Sequence, residues 1–269
     1  MKLSGSSNLL AGRKLVVIGG TAGLGLSAVK AFVTAGARVL AVGLKPENVA
    51  AAQREVGEAA TMMCGDATCP DTAVSAVAKA VAEFGGVDGL YHVAGGSGRQ
   101  YGDGPLHEIS DQGWEATLKL NLTSLFYSNR AVVRQFLAQG TGGTVLNMGS
   151  VLGFSPSPAY FATHAYATAK CAVDGFTKSC AAFYAPKGVR FNVLAPGLTE
   201  TPMAQRAIND ATIRAFIKTK QPLAGGRPGR TTDLDAAAVY FMSDASSFTT
   251  GQVLAVDGGW CVSEGQLQP

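Results

Sequence analysis

Apolar residues along this chain alternate between two patterns. Short continuous runs, such as Lys14-Leu-Val-Val-Ile18, are rich in β-branched residues and end at glycine. Runs of this kind predict strands buried on both faces. Residues 37–42, 60–64, 89–93, 143–148, 189–194 and 252–256 repeat the signature. Between them, apolar positions recur at helical spacing: 26–35, closed by Gly36; 46–56; 72–84; and a long helix capped by Ser110 or Asp111 that reaches Gln139. A helix carrying Tyr166 ends near Tyr184, one or two more cover 201–219, and another spans 233–243. Strands and helices alternate throughout, which predicts an α/β fold with a seven-stranded parallel sheet and helices on both faces. A polar, glycine-rich loop is expected over 97–104.

The first strand runs into Gly19-Gly-Thr21-Ala22-Gly23-Leu24-Gly25 and then a helix. Glycines there let the backbone turn tightly and approach a pyrophosphate, which the free N–H groups and dipole of a helix N-terminus favour. This is a dinucleotide-binding opening. In such sheets ligands lie beyond the C-terminal ends of the strands, where Gly19, Gly43, Asp66, Gly95, Ser150 and Pro196 fall. No linker or repeat interrupts the pattern, so residues 1–269 read as a single Rossmann-type doubly wound domain. Downstream, Tyr166 and Lys170 are four apart, on one face of their helix. A nearby ammonium favours a phenolate, so the pair is a candidate proton-transfer device.

Composition narrows the function. Of 269 residues 47% are hydrophobic, enough for a sizeable core. A net charge of +3, from 22 basic and 19 acidic residues without a basic cluster, gives no footprint for nucleic acid or an anionic membrane. Cys64, Cys69, Cys171, Cys180 and Cys261 are odd in number and form no CxxC pair, so they read as reduced thiols with no metal site. No signal-peptide or membrane-spanning run is present, and a soluble cytoplasmic protein is expected.

With these pieces in order, residues 12–260 resemble the short-chain dehydrogenase/reductase family, of the glucose dehydrogenase or 3-oxoacyl reductase type. The family's TGxxxGxG is matched from Ile18 to Gly25, with Ile18 in place of threonine. Asp66 matches the aspartate that meets the adenine, and His92-Val93-Ala94-Gly95 stands where the family has NNAG. Asn121 matches the helix asparagine, Ser150 the active-site serine, and Tyr166 and Lys170 the YxxxK pair. Pro196-Gly197 matches the PG motif, Thr201 the threonine that holds the nicotinamide amide, and Asp257-Gly258-Gly259 the closing VDGG.

The resemblance implies hydride transfer between a nicotinamide cofactor and a ketone or secondary alcohol, with Asn121, Ser150, Tyr166 and Lys170 catalytic. Lys170 is then expected to lower the Tyr166 pKa and hold the nicotinamide ribose. A 3-oxoacyl-thioester reductase is the alternative within the family, and a non-catalytic nucleotide sensor the alternative outside it. Cofactor contacts are expected from the glycine turn, Gly43, Leu44, Lys45, Asp66, Ala67, Ala94, Gly95, Gly96, Tyr166, Lys170, Pro196, Gly197, Thr199 and Thr201. NAD-specific relatives place a carboxylate where Gly43 stands, so nothing here repels a 2′-phosphate. With Lys45 as the nearby cation, the reading leans to NADP(H), with NAD(H) also usable.

Sixteen positions separate Ser150 from Tyr166, more than the resemblance implies, and Pro156-Ser-Pro158 is expected to absorb the excess as a bulged loop. Ser155 or Ser157 is the working serine if it does not. The substrate pocket is expected from Ser97, Arg99, Leu152, Phe154, Tyr160, Phe161, His164, Leu198 and Met203. Arg99 is a candidate for meeting an anionic substrate. The resemblance implies a homotetramer (or dimer), since family members are usually tetramers, and Phe126, Val133, Phe136, Phe176, Phe183 and the strand at Val253 carry apolar groups for such contacts.

Overall fold

The computed structural model describes residues 8–266. Its strands are β1 (Lys14–Ile18), β2 (Arg38–Gly43), β3 (Ala60–Cys64), β4 (Gly89–His92), β5 (Gly143–Met148), β6 (Val189–Pro196) and β7 (Val253–Val256). All pair in parallel, in the order β3-β2-β1-β4-β5-β6-β7. The helices are α1 (Gly23–Thr34), α2 (Pro46–Val56), α3 (Pro70–Phe84), α4 (Asp111–Leu118), α5 (Ser124–Gln139), the short α6 (Pro158–Phe161), α7 (His164–Tyr184), α8 (Gln205–Asn209), α9 (Ala211–Lys220) and α10 (Asp235–Met242).

Successive strand residues face opposite sides, so each strand feeds two cores. Leu15 and Val17 pack with Phe32 of α1 and Phe241 of α10, whereas Val16 and Ile18 pack with Val77 of α3 and Phe136 of α5. This two-sided burial is why the strands read as unbroken apolar runs, and each fully buried Leu, Ile or Phe contributes about 1.5–3 kcal/mol. The strand order reverses between β1 and β4, and there the turns after the two strands touch. A Cβ on Gly19 would lie 2.5 Å from the Ala94 nitrogen.

The long helix expected from Ser110 to Gln139 is broken. Ser110 caps α4 as expected, its Oγ accepting from Gly113 N, but a π-helical turn (Lys119–Thr123) separates α4 from α5. The loop expected over 97–104 contains a 3₁₀ turn (Gly98–Tyr101), β4 stops at His92, and β6 extends to Pro196. The helix expected from residue 26 begins at Gly23, inside the glycine turn.

Candidate functional site

The glycine turn has the shape a dinucleotide requires. Gly19 sits at φ +90°, and a Cβ on Gly25 would lie 1.9 Å from the Gly19 carbonyl oxygen. Ala22 provides no side-chain cap for α1, and the first turn holds no acidic residue. The free N–H groups there remain available to an anion. Thr201 lies against the turn, its Cγ2 3.6 Å from where a Gly23 Cβ would be. At the end of β2, the buried Thr21 occupies the space beside Gly43, and a Cβ at Gly43 would meet its Oγ1 at 1.9 Å. A carboxylate-bearing residue cannot enter there unless Thr21 moves. Leu44 and Lys45 are exposed next to it, while Asp66 closes a turn by accepting from Thr68 N at 2.8 Å. Ala67 packs against the neighbouring core.

The turn after β4 is held by Asn121, which is fully buried in the π turn. Its amide pairs reciprocally with Gly96, accepting from the backbone N and donating to the O, both at 3.0 Å. The same Nδ2 donates to Thr117 O at 3.0 Å, a carbonyl near where the helix ladder changes register. A Cβ on Gly95 would lie 2.8 Å from Asn121 Oδ1 and 3.6 Å from Lys170 Nζ, which brings the π turn and α7 to one point.

Tyr166 and Lys170 lie in the first two turns of α7, with Lys170 Nζ 5.6 Å from the centre of the Tyr166 ring. The buried Lys170 donates to Met148 O at the end of β5 at 2.8 Å. Burial pushes its ammonium down to about 8, with Asp174, one turn on, opposing. For Tyr166 burial dominates and raises the phenol above its ordinary value, while Ser150 acts in the opposite sense. The net direction is thus opposite to the lowering expected from the resemblance, and the opposing influence comes from Ser150. Ser150 starts a 3₁₀ turn (Val151–Gly153) and is buried, accepting from Leu152 N at 3.2 Å. Of the alternative serines, Ser155 turns its carbonyl to Trp260 Nε1 at 3.1 Å, and Ser157 accepts from Phe161 N at the start of α6. The extra length between Ser150 and Tyr166 thus forms a 3₁₀ turn and α6 rather than a simple bulge.

Asp103 lies in the glycine-rich loop expected over 97–104. It is 4% exposed, and its carboxylate accepts from Ala165 N at 3.0 Å and Tyr166 N at 2.9 Å. Thr163, the N-cap residue of α7, gives no side-chain cap, so a residue from the loop after β4 caps the helix that carries Tyr166. Such a tertiary cap leaves no local sequence signal.

The expected pocket residues divide into two groups. Tyr160, Phe161, Leu152 and Leu198 pack against a cluster built on Val151, Phe216, Ile217 and Trp260. Tyr160 meets Phe216 at 5.1 Å and Phe161 meets Trp260 at 5.5 Å between ring centres. The segment after β6 is thereby docked on the insert before α7. Phe154, His164 and Met203 instead face solvent; once Trp260 anchors Ser155, the insert turns Tyr160 and Phe161 inward. Ser97 Oγ accepts from Arg99 N at 3.3 Å. After β6, Gln221 Oε1 accepts from Leu198 N at 2.6 Å, leaving no room for a Cβ on Gly197, and Thr199 Oγ1 donates to Gly197 O at 3.3 Å. Pro196 closes β6 in register with Val256.

The doubly wound sheet with a glycine turn at its switch point is a nucleotide-binding α/β architecture, and Ser150, Tyr166, Lys170 and Asn121 lie near that turn. The family model described as enoyl-(acyl carrier protein) reductase matches residues 19–261. The chain is 35% identical over 256 residues to 3beta-hydroxysteroid dehydrogenase 2 of Eggerthella lenta, covering 94% of this chain and 96% of that protein. It is 35% identical to 2,5-dichloro-2,5-cyclohexadiene-1,4-diol dehydrogenase of Sphingobium indicum, covering 93% and 98%. The solved structure of a short-chain type dehydrogenase/reductase from Mycobacterium ulcerans superposes with a TM-score of 0.87 at 30% identity, over 95% of this chain and 92% of that one. The chain belongs to the short-chain dehydrogenase/reductase family and is an oxidoreductase acting on CH–OH groups, a family chemistry that uses a nicotinamide cofactor. Among the described residues no helix is long and apolar enough to cross a membrane.

Proposed function

We propose that this protein interconverts a secondary alcohol and a ketone through Ser150, Tyr166, Lys170 and Asn121. The observation that carries the reading is that Asn121 and Lys170 meet at the Gly95–Gly96 turn beside the glycine turn, while Tyr166 lies next to Lys170 on α7 and interacts with Ser150 at the end of β5. The dinucleotide, when bound, supplies or accepts the hydride. Tyr166 moves the proton at the substrate oxygen, as acid for reduction and base for oxidation. Ser150 donates a hydrogen bond to that oxygen as charge develops. Lys170, charged below its pKa of about 8, favours the phenolate electrostatically and holds the nicotinamide ribose. Asn121 orders the turn beside them and connects Lys170 to solvent through water.

The Gly19–Gly25 turn holds the pyrophosphate, Asp66 and Ala67 border the adenine, and Thr199 and Thr201 border the nicotinamide. NADP(H) is the favoured dinucleotide, because Thr21 and Gly43 leave no carboxylate against a 2′-phosphate and Lys45 is near; NAD(H) is also accepted. The ring-bearing substrates named for the two dehydrogenase relatives favour a cyclic alcohol or ketone over an acyl thioester. A panel of cyclic alcohols and ketones with both dinucleotides, followed at the nicotinamide absorbance, tests this. Tyr166→Phe should lose at least ~10²-fold in kcat, the usual contribution of general acid–base catalysis, while still binding dinucleotide by fluorescence titration. Near-normal turnover by Tyr166→Phe overturns the assignment.

A further inference from the structure

Arg99 and Arg206 reach one short stretch of chain from two different elements. Arg99 belongs to the 3₁₀ turn after β4, and Arg206 to α8 in the segment after β6. Arg99 Nη2 donates to Ala162 O at 3.4 Å, and Arg206 Nη2 donates to Tyr160 O at 2.9 Å. The Arg206 guanidinium also lies 5.9 Å from the centre of the Phe161 ring. The stretch that both arginines grip, 160–162, leads directly into α7 and Tyr166. Two permanent positive charges are thus gathered where the insert, the loop after β4 and the segment after β6 meet.

The protein does not neutralise them. A guanidinium carries five N–H donors, and one carbonyl each leaves most of both forks unfilled. The ion pairs among the described residues involve Arg13, Lys30, Lys79, His107 and Arg227, and neither Arg99 nor Arg206 is in one. Asp103, the carboxylate that acts on Arg99, has its oxygens turned to Ala165 N and Tyr166 N as a helix cap. Burial and the charge of Arg206 together hold Arg99 below its ordinary pKa, against the pull of Asp103. Like charges kept this close without a salt-bridge partner among the described residues repel one another, only partly offset by Asp103, and an incoming anion relieves that repulsion. Planar guanidinium forks match the paired oxygens of carboxylates and phosphates.

We propose that Arg99 and Arg206 together bind an oxyanion carried by the substrate, so that the enzyme prefers alcohols or ketones bearing a carboxylate or phosphate group. The proposal rests on the reading that Tyr166 marks the reacting carbon. The test uses three secondary alcohols on one ring scaffold, ending in a carboxylate, a phosphate monoester or a neutral primary amide. At least one anionic member should exceed the amide about tenfold in kcat/KM, the scale of one charge-assisted contact; which of the two leads identifies the oxyanion. Arg99→Gln and Arg206→Gln, both exposed positions, should raise KM for that anion about tenfold more than for the amide, with a smaller effect on kcat. Equal use of all three alcohols, or variants that shift anion and amide alike, overturns the proposal and leaves hydride transfer standing. Calorimetry gives a readout free of turnover, titrating the ring carboxylate and the ring phosphate, both without the hydroxyl, into protein saturated with dinucleotide. Binding of either that is lost in the Arg99→Gln/Arg206→Gln double variant supports the proposal. No binding of either, or binding that the double variant leaves unchanged, overturns it even if no alcohol is oxidised.

Discussion

His92 stands where the resemblance places an asparagine, and its surroundings show how an imidazole fits. It is 1% exposed, at the end of β4, with Nε2 3.0 Å from Ala94 O and Nδ1 2.8 Å from Ser128 Oγ. The carbonyl requires Nε2 to carry the proton, and with burial keeping the ring neutral Nδ1 is left as an acceptor facing Ser128 Oγ, which also lies 3.0 Å from Leu125 O. Burial, reinforced by the charge of Lys170, pushes its pKa down to about 3. Between the ordinary histidine value near 6.5 and about 3, the unfolded chain binds a proton that the folded chain refuses. Stability is therefore lost as pH falls through that window and is unaffected by this group above it. His92→Asn, which cannot titrate, should flatten the acid limb of a plot of Tm against pH between 7 and 4, by roughly 1 kcal/mol for each pH unit below the ordinary pKa. Superimposable wild-type and variant limbs would refute this account. The substitution itself was legible in the sequence; its cost in acid was not, because that depends on the burial of the ring and on Lys170 arriving from α7.

Among the elements, α7 shows most clearly what pattern reading reaches and what it misses. The spacing of Tyr166 and Lys170 was visible, and so was the end of the helix at Tyr184. The cap was not, because Asp103 is more than sixty positions away along the chain. The π turn was hidden for a related reason: one extra residue in a helix barely disturbs an apolar period, although it sets Asn121 against Gly96. The strands were more legible because the central ones are buried on both faces, so their limits coincide with apolar runs that glycine or polar residues end. Asp103 yields a prediction for the whole helix. Asp103→Ala removes two charge-assisted cap bonds and should cost about 1–2 kcal/mol of stability. It should also lower kcat about tenfold, since small misplacement of a catalytic group is costly, without weakening dinucleotide binding. Asp103→Asn keeps an acceptor and should recover part of both losses. If Asp103→Ala lowers Tm but leaves kcat untouched, the cap serves folding alone.

At the scale of the whole molecule, the surface left by this fold is not one that stays bare. The sheet ends at β7, whose outer edge is unpaired among the described residues, and Leu254 on that strand is 41% exposed. Phe248 and Tyr240 are exposed in the segments before it. A second apolar area lies on the helices, with Phe126 of α5 39% exposed and Phe183 of α7 65% exposed. On α7, Asp174 Oδ1 is also buried without a hydrogen-bond partner among the described residues. Val133 and Phe136, expected to help assembly, are instead buried in the core beneath α5, so the contact falls to Phe126 and Phe183. Open edges and apolar helix faces invite uncontrolled association unless a closed symmetry covers them. Two separate patches are what a tetramer with two kinds of two-fold axis uses, each patch meeting its own copy. We therefore expect a homotetramer by light scattering at micromolar concentration. Leu254→Lys should remove only the edge contact and Phe126→Glu only the helix contact, each leaving dimers, and the double variant should leave monomers. A wild-type monomer, or single variants that remain tetrameric, would rule this arrangement out.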